Sequence, residues 1–60
     1  MKTSEIIRLF DGDGWELIRQ TGSHRVYRHP VKSGTVIVPS HGSKELQKGT
    51  EMSIRKQAGI

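Results

Sequence analysis

A histidine that follows a glycine turn and lies among arginines is the arrangement in this chain best suited to chemistry. The segment Gly22-Ser23-His24-Arg25-Val26-Tyr27-Arg28 sets His24 directly after the turn and places two guanidinium groups close behind it. Imidazole exchanges a proton near neutral pH, and neighbouring cations hold an anion. This combination predicts acid–base chemistry on a phosphate backbone, with His24, Arg25 and Arg28 as the first candidate residues.

The other histidines have weaker claims to a chemical role. His29 precedes Pro30, where an extended backbone is favoured, so we expect it to end a strand. His41 lies in a Gly/Ser turn. The three histidines lack a familiar ligand spacing and a nearby carboxylate, so the sequence predicts no metal site and no cofactor. Ser23 beside His24 has no orienting acid and no nucleophile-elbow pattern, and we expect it to shape the turn.

The charges of the chain are distributed unevenly. The chain has 10 Lys and Arg residues and 6 Asp and Glu residues, which give a formal net charge of +4. The basic side chains form either a solvated face or a surface that binds along a phosphate backbone. The excess of cations favours the second interpretation. Tyr27 has two open interpretations, a stacking platform for an unpaired base or a core aromatic. The candidate RNA-binding residues are Arg19, Arg25, Arg28, Lys32, Lys44 and Lys48.

Length and composition limit the class of protein. Sixty residues predict a single small domain, 1–60, and the absence of cysteine excludes disulfides, thiolate nucleophiles and zinc–thiolate sites. No apolar run approaches the roughly 18 residues that a membrane-spanning helix needs, so we expect a cytoplasmic protein without a membrane partner. The basic balance makes a polyanion or an acidic protein the expected partner.

The elements that must position these residues follow the order α-β-β-β-α. Thr3 is predicted to cap a helix that runs to about Asp11, and Thr50 to cap a last helix ended by Gly59. Trp15 is assigned to the core.

Three strands are predicted over 15–20, 24–29 and 35–38, with Leu17 and Arg19 on the same face of the first. Both helices then pack on one face of a three-stranded antiparallel sheet, which is an α+β fold.

The chain resembles the HicA (YcfA-like) family of small toxins from bacterial toxin–antitoxin modules along nearly its whole length. The residues that carry the resemblance are Gly14-Trp15, the run from Arg19 to His24, His29-Pro30, Val38-Pro39 with His41, Lys44-Glu45-Leu46, Gly49-Thr50 and the run from Lys56 to Ile60. Glu51 and Arg55 depart from the family pattern, because relatives often have an aliphatic residue there.

The resemblance implies a double-stranded-RNA-binding-domain-like fold and ribonuclease activity toward mRNA. It also implies inhibition by a cognate HicB-type antitoxin, and it places the catalytic histidine of the family at His24. The function expected from it is a metal-independent endoribonuclease, an mRNA interferase that acts on mRNA or other single-stranded RNA. Two alternatives stay open: a non-catalytic RNA-binding module, and a protein-interaction domain for an acidic partner.

Overall fold

A computed structural model describes residues 1–40 and 44–60 of the chain, which form two helices and one sheet. Helix α1 spans Thr3–Asp13, strands β1, β2 and β3 span Glu16–Thr21, His24–Arg28 and Thr35–Pro39, and helix α2 spans Lys48–Ala58. The sheet is antiparallel, in the order β1-β2-β3. This confirms the predicted α+β fold of the double-stranded-RNA-binding-domain-like class. His41 and the turn predicted around it lie outside the described residues.

Helix α1 begins one residue earlier than a Thr3 cap would set it, so that prediction is wrong. Lys2 is the N-cap residue, and its backbone N–H donates to the Glu5 carboxylate over 2.8 Å. Thr3 is instead 2% exposed, and its hydroxyl donates to the Pro39 carbonyl of β3 over 3.2 Å. The Thr3 side chain therefore contacts the sheet and does not cap the helix.

Helix α2 also begins earlier than predicted, with Gln47 as its N-cap, so Thr50 lies inside the first turn. Its predicted end is confirmed: Gly59 adopts the left-handed conformation with φ of 70°. Ile60 folds back against the core, and its N–H donates to the Arg55 carbonyl over 2.9 Å. In the described part of the chain, neither helix is long and apolar enough to cross a membrane.

The core lies between the two helices and one face of the sheet. Phe10 of α1 is fully buried there, with its ring centroid 5.5 Å from that of Trp15 and 5.1 Å from that of Tyr27. Trp15 is 3% exposed, as predicted, and Tyr27 is 1% exposed. Tyr27 is therefore a core residue, and burial removes its ring from any role in stacking on a base. The remaining core residues are Ile6, Val36, Val38, Leu46, Ile54 and Ala58.

Candidate active site on the open face of the sheet

The face of the sheet that the helices leave uncovered carries His24. Directly paired residues of an antiparallel sheet share a face, and the face alternates along each strand. Tyr27 and Val36 are paired and buried under the helices, so the other set of pairs faces outward. We call this outward set the open face. Its three rows across β1, β2 and β3 are Thr21–His24–Pro39, Arg19–Val26–Ile37 and Glu16–Arg28–Thr35.

His24 is exposed at the first position of β2, directly after the turn. Gly22 supplies a positive φ of 56° in that turn, a conformation that glycine adopts without strain. The Ser40 N–H donates to the Ser23 carbonyl over 2.5 Å, which fastens the end of β3 beside the turn. Within the part of the chain that the structure describes, the His24 ring makes no hydrogen bond. As far as the described residues show, both of its nitrogens are available to a substrate.

His29 is the opposite case. Its Nε2–H donates to the Asp13 carbonyl over 2.7 Å, while Nδ1 accepts the backbone N–H groups of Val31 and Lys32 over 3.0 and 2.9 Å. The ring also lies edge-on to Trp15, with centroids 5.2 Å apart. These contacts fix one tautomer and occupy both nitrogens, so His29 fastens the segment after β2. Its position before Pro30 predicted a strand end, and β2 ends one residue earlier, at Arg28.

A bulge in β1 places Arg19 on the same face of the sheet as His24. Leu17 pairs with Tyr27 and Arg19 with Val26, so Ile18 is an extra residue in the ladder. Leu17 and Arg19 consequently lie on opposite faces, and the prediction that they share one is wrong. Arg19 and Arg28 are both exposed on the open face with His24.

Arg25 lies on the helix-covered side, where it pairs with Gln20 and Val38. Its side chain is half-buried, and its Nε has no hydrogen-bond partner among the described residues. Burial raises the pKa of the Tyr27 hydroxyl, and the neighbouring Arg25 cation opposes that rise. The structure thus separates Arg25 from His24 although the two are adjacent in sequence, and phosphate binding by Arg25 stays a prediction.

Lys32 links three elements. Its ammonium group donates to the Asp13 carboxylate over 2.5 Å and to the Ala58 and Gly59 carbonyls over 2.9 and 3.4 Å. The ion pair with Lys32 is the main reason that the pKa of Asp13 lies below its usual value. The structure gives this lysine partners within the protein, and its assignment to RNA stays a prediction.

Lys44 and Lys48 are exposed, in the segment before α2 and at the first position of that helix. Neither lysine belongs to the open face. Both add to the positive charge of the protein. Among the described residues there is no group of three or more His, Cys, Asp or Glu side chains that is placed to hold a metal ion.

The fold and charge define a small basic α+β domain of the double-stranded-RNA-binding-domain-like class. A family model described as the HicA toxin of bacterial toxin–antitoxin systems matches residues 3–60. The chain is also similar to a Pseudomonas fluorescens protein named "Probable mRNA interferase HicA", with 35% identity over 60 residues, which is 100% of this chain and 97% of that protein. The chain therefore belongs to the HicA toxin family.

Proposed function

We propose that this toxin is an mRNA interferase that cleaves mRNA or other single-stranded RNA in the cytoplasm and is neutralised by a HicB-type antitoxin. The observation that carries the proposal is the state of His24, an exposed histidine on a bare sheet face with no hydrogen bond to the described residues. The name of the Pseudomonas relative supports RNA as the substrate.

The proposed reaction is an attack of the ribose 2′-oxygen on the adjacent phosphorus. His24 takes the proton of the 2′-hydroxyl or gives a proton to the leaving 5′-oxygen. The bond from phosphorus to the 5′-oxygen breaks, which leaves a 2′,3′-cyclic phosphate and a 5′-hydroxyl. Cations hold the negative charge that develops on the phosphorane oxygens. These steps need proton transfer and charge stabilisation alone, so we propose cleavage without a metal ion.

The decisive experiment incubates the purified protein with a long single-stranded RNA in EDTA. We expect cleavage by the wild type and a rate about 10²–10⁴-fold lower for His24→Ala, the usual effect of removing one acid–base group. Thr35→Ala is the matched control, because Thr35 is also an exposed strand residue of the open face. Circular dichroism of both variants confirms that they are folded.

The outcomes separate the alternatives. Wild-type protein that binds RNA with a strong salt dependence but never cleaves it is a non-catalytic RNA-binding module. Protein with no salt-sensitive affinity for RNA is an interaction domain. Undiminished cleavage by a folded His24→Ala protein rejects His24 as the catalytic group.

A further inference from the structure

We propose that Arg19 is a second catalytic residue, and that a single-stranded RNA lies on the open face with its scissile phosphate between Arg19 and His24. This inference rests on the proposed function and adds the charge-stabilising group and the path of the substrate. The observations that carry it are the bulge at Ile18, the register of the three strands, and the mixture of cationic and apolar residues on the open face.

The bulge is what brings Arg19 to the face of His24. From Glu16 and Leu17, a ladder without the bulge would continue by pairing position 18 with Val26 and Arg19 with Arg25. Arg19 would then lie on the helix-covered side, directly across from another cation. With Ile18 as an extra residue, Arg19 pairs with Val26 and lies on the open face. Bulges near functional sites commonly redirect a side chain in this way.

The register makes Arg19 and His24 diagonal neighbours. Thr21 is directly opposite His24, and Arg19 is two residues away on the same strand and face. Diagonal neighbours in an antiparallel pair have Cα atoms about 7–8 Å apart, which a long side chain spans. A phosphate over this corner is within reach of both the imidazole and the guanidinium, and a guanidinium offers paired N–H donors to phosphate oxygens.

The rest of the open face favours an unpaired strand of RNA. Ile37 is 54% exposed, so the middle row offers apolar surface at β3, while Val26 between Ile37 and Arg19 is buried at 8% exposed. Unstacked bases of a single strand can lie on such a surface, whereas a duplex presents mainly phosphates and 2′-hydroxyls. Arg28 follows His24 by four residues, about 13 Å along the strand, where it meets a neighbouring phosphate. Glu16 is in that same third row, away from the proposed scissile phosphate.

The kinetic test compares Arg19→Ala, Arg19→Lys and Arg28→Ala with Arg8→Ala, which removes an exposed cation from α1. We expect Arg19→Ala to lower kcat about 10²–10³-fold, the usual loss when a charge-stabilising donor is removed, and Arg19→Lys to restore part of it. Arg28→Ala should raise KM with little change in kcat and lower the salt slope of binding by about 0.7. Arg8→Ala should change neither kcat nor KM.

The binding test uses amide chemical shifts of the wild-type protein with a single-stranded oligoribonucleotide whose 2′-hydroxyls are methylated, which removes the attacking group. We expect shifts in β1, β2 and β3, with those around Arg19, Val26 and Ile37 the largest, and weaker binding of the same sequence as a duplex. Shifts confined to the outer surfaces of α1 and α2 overturn the proposed path. If Arg19→Ala and Arg8→Ala both cleave RNA as fast as the wild type, Arg19 is not a catalytic residue. The proposed function itself is not affected by that result. Absence of cleavage by the wild type rejects the proposed function itself.

Discussion

Two histidines at the two ends of one strand have opposite environments. His24 begins β2 on the open face without a hydrogen bond to the described residues, whereas His29 follows β2 with both nitrogens occupied and its side chain 9% exposed. A ring fixed by three hydrogen bonds has no nitrogen left for a substrate, and an exposed unpaired ring contributes little to packing. The proposed catalytic role and the structural role therefore fall on different histidines.

The variant His29→Ala is expected to be less stable by about 1–3 kcal/mol, because partly buried polar groups lose their partners and Trp15 loses its contact with the ring. The amides of Val31 and Lys32 and the carbonyl of Asp13 are the groups left unpaired. Urea unfolding measures this loss, and RNA cleavage at a temperature where the variant is folded should continue. His24→Ala is the control, with stability within about 0.5 kcal/mol of the wild type. Equal stability of the two variants would contradict the structural role of His29.

At the scale of the elements, the ends of the helices are set by contacts as well as by caps. Gly14 ends α1 with φ of 97°, and a Cβ atom there would lie 3.1 Å from His29 Nε2. Lys32 then joins Asp13 at the end of α1 to Ala58 and Gly59 at the end of α2. The segment after β2 thus fastens both helices on the covered side of the sheet.

Replacing Gly14 by alanine is expected to destabilise the protein by about 1–3 kcal/mol, since a side chain at positive φ is strained and this one also crowds His29. Gly12→Ala, inside the last turn of α1, is the matched control. Gly12 has a helical backbone, and an added Cβ meets no atom within 4 Å, so this change should stabilise the protein by about 0.4–1 kcal/mol. Thermal unfolding of both variants gives the comparison, and a stabilising Gly14→Ala would refute the strain.

The Lys32–Asp13 ion pair predicts a pH-dependent stability. The pKa of Asp13 is lower in the folded protein than its ordinary value of 3.8, chiefly because of Lys32. The stabilisation is therefore complete above the unfolded-state pKa and is lost as the pH falls through the folded-state pKa. We expect Lys32→Ala to be less stable than Lys44→Ala at neutral pH, with the difference shrinking below about pH 4. A difference that stays constant into acid would show that the ion pair does not contribute.

Local sequence signals are sufficient to predict the order of the helices and strands. They do not predict the contacts between those elements. Periodic apolar residues and glycine turns predict two helices and three strands, and the predicted start of β2 at His24 is confirmed. No local signal announces the bulge at Ile18, because it depends on how β1 fits β2. Lys32 contacts groups 19 and 26 residues away, so only the folded chain reveals its partners. Adjacency in sequence suggests that Arg25 and His24 act together, but successive side chains of a strand point to opposite faces.

At the scale of the whole molecule, charge and an uncovered sheet face determine what can bind. The chain has a formal net charge of +4, and Ile18 and Ile37 are each 54% exposed. An acidic antitoxin that covers the open face would exclude RNA from His24 and shield Ile37. Electrostatic attraction would speed its association, and added salt would slow it.

Neutralisation by a cognate antitoxin should therefore occur by occlusion of the open face. We expect hydrogen exchange of the complex to show protection of β2 amides and of the turn before His24, together with loss of RNA cleavage. The toxin's Tm should rise with antitoxin concentration, because a partner that binds only the folded state stabilises that state by mass action. Arg19→Ala and Arg28→Ala should slow association, whereas Arg8→Ala on α1 should not. Protection confined to α1, with RNA still cleaved in the complex, would contradict occlusion and require neutralisation by another route.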